Sequence, residues 1–112
     1  MDIRTQKITN SAVLVELSGK FNIEEVFRFE EYINEIMNNM PSAIAINMEE
    51  IKYIDSSGIG SLIKTMNIAK GRNIDLVITG IDKEILHIFK IAYLDRFFTI
   101  MSYQEFLDHY SK

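Results

Sequence analysis

The chain has no cysteine, which excludes disulfides, thiolate nucleophiles and zinc–thiolate sites together. It has only two histidines, His87 and His109, and neither sits in a metal-ligand spacing such as HExxH, so no metal or other cofactor is expected. Basic residues are outnumbered: 12 Lys and Arg against 16 Asp and Glu leave a net charge of −4. Nucleic-acid binders usually carry a basic patch, so a phosphate backbone is not the expected partner. No apolar run reaches the ~18 residues of a membrane span. The opening MDIRTQKI has no charged-then-apolar secretory pattern. The expected setting is the cytoplasm, and the expected partner a protein or a small ligand.

What is present suits one globular unit. The 112 residues are 47% apolar and 25% charged, enough to bury roughly 65% of the surface the unfolded chain exposes. No linker, low-complexity tract or internal repeat divides residues 1–112. AVLVELSG (Ala12 to Gly19), AIAIN (Ala43 to Asn47) and DLVITG (Asp75 to Gly80) are short apolar runs bounded by turn residues, the pattern of buried strands. IRTQKITN alternates more and reads as an edge strand joined through Asn10–Ser11. RFFTIM offers a further short strand.

Helices alternate with these runs. Asn22 and Glu25 form a candidate capping box with Phe21 and Val26 as its staple. Val26, Phe29, Ile33, Ile36 and Met40 follow as one stripe, closed by Pro41, the only proline. Ile59, Leu62, Ile63, Met66 and Ala69 make a second stripe ended by Gly71. Asp82 caps a third helix, and Ser102 and Glu105 open a fourth, with Met101 and Phe106 as staple. The order predicts an α/β fold: a mixed four- or five-stranded sheet, parallel apart from an antiparallel opening pair, with about four helices. In such a sheet the turns at Phe21–Asn22, YIDSSG and Gly80–Asp82 should share the carboxyl end of the strands. Phe27, Tyr32, Phe97 and Phe98 are expected to pack rather than bind, and Glu49 and Glu50 to lie in a solvated turn.

The stretch YIDSSGIG (Tyr53 to Gly60) asks for an explanation, because two glycines stand at the start of a helix. Asp55 or Ser56 can cap that helix, but capping does not require glycine, which costs up to ~1 kcal/mol in a helix. Close approach of another molecule or another backbone would require it. A hydrolase elbow fits poorly, because G-x-S-x-G lacks its leading glycine here. The phosphate-loop and dinucleotide patterns are also incomplete. A phosphorylation switch fits better: a phosphate on Ser56 or Ser57 would meet free helix amides and add roughly −1.5 to −2 charges beside Asp55.

Through D-S-S-G-x-G after a strand, with VLVELSGKFN before it and LVITGIDKEILHIFKIAYLDRFF after it, the chain resembles a STAS domain of the bacterial anti-sigma factor antagonists. The resemblance implies partner switching. The unphosphorylated antagonist binds an anti-sigma factor that is also a serine kinase, phosphorylation reverses binding, and a metal-dependent serine phosphatase resets the cycle. By motif position the phosphorylated residue would be Ser56, with Ser57 the alternative. The partner surface would comprise Asn22, Asp55, Ser57, Gly58 and Gly60, plus an outward helix face with Ser61, Lys64 and Thr65. The chain departs from the family pattern at Asn22, where Asp is usual, so a negative charge near the loop is lost. It departs again at Tyr93, where Gly is usual, and a tyrosine there demands a different helix ending. A constitutive scaffold subunit of a stress-sensing or lipid-transport assembly is the alternative reading; a small serine hydrolase or nucleotide-hydrolysing enzyme ranks last.

Overall fold

A computed structural model gives the fold and describes residues 1–110. Its five strands are β1 (Asp2–Lys7), β2 (Ala12–Phe21), β3 (Ala43–Ile54), β4 (Asp75–Thr79) and β5 (Thr99–Ile100), side by side in chain order. The helices are α1 (Ile23–Asn38), α2 (Ser56–Gly71), α3 (Lys83–Ile91) and α4 (Tyr103–Tyr110). β1 runs antiparallel to β2 and every other pair is parallel, as the alternation of strands and helices predicts.

The apolar runs are continuous because the sheet is covered on both faces. Val15, Leu17, Ile44, Ile46, Leu76 and Ile78 meet Phe29 and Ile33 of α1, Leu62 and Met66 of α2, and Ile85 and Phe89 of α3. On the other face Ala12, Leu14, Ala43, Ala45 and Val77 meet Phe106 of α4. The Ser102–Glu105 box holds the start of that last helix: the Glu105 amide donates to Ser102 Oγ, and the Ser102 amide to the Glu105 carboxylate, both at 3.0 Å.

Two expectations about the elements are corrected and a third is refined. First, β3 continues beyond Asn47 to Ile54, so Glu49 and Glu50 are exposed strand residues rather than a turn. Two register shifts against β2 accommodate this length, as bulges do. Thr79 pairs with Asn47, so β3 overhangs β4. The Gly80–Asp82 turn leaves the carboxyl end of its strand, as expected, but at the level of Asn47 and Glu49, ahead of YIDSSG in β3. Gly80 has φ +67°, and a Cβ on it would stand 2.6 Å from Asn47 Oδ1.

Second, α1 buries Phe29, Ile33 and Met37, while Met40 is exposed with φ 52°, because the helix stops at its cap Asn39. Third, α2 ends at Gly71 as expected, but the glycine is not the left-handed residue of that ending. Asn73 takes the left-handed position (φ 57°). Its amide bonds the Lys70 carbonyl and the Ile74 amide the Ala69 carbonyl, at 3.2 and 2.9 Å, a Schellman ending. Tyr93 (φ 59°) occupies the same position after α3. The expected change of ending does not occur. The tyrosine accepts the left-handed conformation instead, at a cost of about 1–2 kcal/mol.

Candidate functional site

The candidate site is the junction between β3 and α2. Ile54 is the last strand residue, and its buried side chain fixes the direction in which the chain leaves the sheet. Asp55 is the N-cap, extended in backbone, with its carboxylate accepting the Gly58 amide at 3.0 Å. Its own amide donates to the Phe21 carbonyl at 3.3 Å, which ties the loop to the end of β2. Ser56 is the first residue of α2 and is exposed; Ser57 is half-buried. The Ser56 hydroxyl has no hydrogen-bond partner among the described residues.

The two glycines have different environments. Gly58 is buried, and a Cβ on it would stand 2.6 Å from the Phe21 carbonyl oxygen and 2.9 Å from Ile54 Cγ1. A Cβ on Gly60 would meet nothing within 4 Å. The fold demands the first glycine and is indifferent to the second.

Asn22 stands beside the loop and caps α1, accepting from the Glu24 amide at 3.1 Å. The predicted capping box does not close. Glu25 turns instead to the Met1 ammonium at 3.0 Å and to Arg28 at 3.4 Å. Hydrogen bonding and attraction from the ammonium hold its carboxyl below the ordinary 4.5, with smaller help from Arg28 and some opposition from burial.

The outward helix face expected to carry Ser61, Lys64 and Thr65 also needs correction. Ser61 and Thr65 are 3% and 1% exposed and point at α1 and at their own helix. Ser61 Oγ donates to Glu30 of α1 at 2.8 Å, and Thr65 Oγ1 to the Ser61 carbonyl at 2.8 Å. Only Lys64 reaches solvent, and its ammonium also meets Glu30, at 2.9 Å. Burial raises the Glu30 carboxyl, but hydrogen bonds from Lys64 and Ser61 and the lysine charge outweigh it, leaving a net value below 4.5. Glu30 thus clamps α1 to α2, a role invisible in sequence because its partners lie 31 and 34 positions away.

Of the aromatics expected to pack, Phe98 is buried, and Tyr32 and Phe97 lean on the core. Phe27 does not: it is 73% exposed on the rim of a groove of about 260 Å³ between α1 and α2, which Glu31, Asn34, Lys64 and Ile68 also line. His87 and His109 are exposed on α3 and α4, and neither bonds to Ser56 or Ser57. Among the described residues no group of three or more His, Asp or Glu side chains converges to hold a metal, and no helix is long and apolar enough to cross a membrane.

The sequence profile of the STAS domain matches residues 3–106, so the chain belongs to the STAS domain family. It is similar to the anti-sigma-B factor antagonist of Staphylococcus aureus, with 26% identity over 78 residues, 70% of this chain and 72% of that protein. Among solved structures, the unphosphorylated anti-sigma factor antagonist SpoIIAA superposes with a TM-score of 0.74 at 18% identity, covering 96% of each chain. Its phosphorylated form from Bacillus scores 0.74 as well, over 96% of this chain and 98% of that one. A candidate anti-sigma factor antagonist of Thermotoga maritima reaches 0.85 at 18% identity over 95% and 92%. These structures share the fold.

Proposed function

We propose that the chain is an anti-sigma factor antagonist that acts by partner switching, with Ser56 as the phosphorylated residue. The observation that carries this reading is the pairing of an exposed, unbonded Ser56 hydroxyl with a helix start whose Gly60 leaves its outer side open. A kinase has to bring a nucleotide phosphate within bonding distance of the hydroxyl, and side chains on that turn would obstruct it. Ser57, half-buried beside the cap, is the poorer acceptor.

The electrostatics fit a reversible mark. α1 and α3 carry glutamates in their first turns, whereas α2 carries no acidic residue there. Its free amides can therefore face a phosphate, while the added charge beside Asp55 disrupts a docked surface without disturbing the core. The partner surface in this reading is Asn22, Asp55, Ser56, Ser57, Gly60 and Lys64. Gly58 supports it from below, and the buried Ser61 and Thr65 do not belong to it. The partner is an anti-sigma factor with serine kinase activity, and a metal-dependent phosphatase removes the mark. The setting is cytoplasmic, and the protein itself has no enzymatic role.

The test is binding to the anti-sigma factor by calorimetry. Ser56→Ala is expected to bind as the parent does, and Ser56→Asp at least about tenfold more weakly. Equal binding by both variants would favour the constitutive scaffold. The neutral Asn22, which keeps the cap without a charge, is the feature that speaks for that alternative.

A further inference from the structure

Tyr93 is 72% exposed in a backbone conformation that glycine would adopt without strain. Ile88 and Ile91, three positions apart on α3, are also exposed, and Tyr93 follows Ile91 by two positions. The cations nearest in sequence are Lys90 and Arg96, the latter over the Tyr93 ring at 6.0 Å, and neither forms an ion pair among the described residues. On α1 the complementary features occur together. Phe27 is exposed on the rim of the 260 Å³ groove, and the exposed Glu24, Glu31 and Glu35 lie along the same helix, without ion pairs among the described residues. The groove is smaller than the ~300–1,000 Å³ of small-molecule sites, so it suits a protruding side chain better than a metabolite.

We infer that Tyr93 of one copy docks in the α1–α2 groove of a second copy, with Lys90 and Arg96 of the first facing the α1 glutamates of the second. An apolar knob and a pocket on different parts of one surface make a heterologous contact, which adds copies head to tail rather than closing a symmetric pair. This association stands apart from the phosphorylation reading. Where that reading also holds, Lys64 is shared by groove and partner surface, so self-association and partner binding exclude each other.

Sedimentation velocity across a concentration series tests it. The expected result is a weight-average coefficient that climbs past the dimer value as concentration rises. Tyr93→Gly removes the knob and Phe27→Ser opens the groove rim, and each alone is expected to weaken association at least about tenfold. Both positions are solvent-facing, so both variants should fold, which circular dichroism checks. Mixing the two variants is the decisive step. The Phe27→Ser chain keeps its knob and the Tyr93→Gly chain keeps its groove, so the mixture should form complexes that stop at two chains. A parent protein that stays monomeric throughout would overturn the inference. So would association that either variant leaves intact, or a mixture that remains monomeric.

Discussion

Gly58 and Gly60 share one helical turn, and a methyl group added to each meets opposite surroundings. At Gly58 it would strike the last carbonyl of β2 and the last side chain of β3; at Gly60 it would enter open space. The first glycine is explained by the protein's own packing and the second is not. A motif read as a string treats the two alike, yet the fold requires one and leaves the other free.

The sharpest way to break this comparison is Gly58→Ala. The Phe21 carbonyl cannot yield without moving the end of β2, so the variant should lose about 2–3 kcal/mol, typical of overpacking, in urea unfolding. A loss below about 0.5 kcal/mol would mean that the loop relaxes freely and that the two glycines are equivalent. Gly60→Ala should move the other way. It is expected to gain up to ~1 kcal/mol of stability from helix propensity while weakening capture by the anti-sigma factor. A variant that is more stable and binds equally well would remove the external reason for that glycine.

A smaller effect sharpens the contrast between the two sides of α2. The Glu30 carboxyl has a folded value below 4.5, so its stabilising contribution is present above 4.5 and disappears as the pH falls through the lower folded value. Glu30→Gln should cost a few tenths of a kcal/mol near neutrality and flatten that part of the acid limb. Urea midpoints measured near pH 7 and near pH 3 would show it. An unchanged acid limb would mean that the clamp between α1 and α2 does not depend on charge.

Most of the fold was legible because each buried strand is short, apolar and bounded, and because Asn22, Asp55, Asp82 and Ser102 are residues that cap helices. The signals failed where long-range partners decide the outcome. MEEIKY carries charges that read as a turn, yet pairing with β2 keeps it extended. Glu25 fits a capping box by spacing, but the Met1 ammonium competes for its carboxylate. Ser61 and Thr65 look solvent-facing by polarity, and they are buried because Glu30 and a backbone carbonyl satisfy their hydroxyls. The left-handed Tyr93 defeats local reasoning too, since a bulky residue is the wrong choice for that position on the isolated chain.

The overhang of β3 has a consequence for motion. Ala43 to Asn47 are laddered to strands on both sides, whereas Glu50 to Ile54 have only β2 beside them. Ser56 therefore stands at the tip of a cantilever whose root is clamped on two sides and whose arm is held on one. Amide protons of the arm should exchange with solvent sooner than those of the root, in the manner of a low-lying local opening. The Ser56 hydroxyl thus sits where the chain can yield while the rest of the sheet stays closed, which is what the proposed phosphorylation would require.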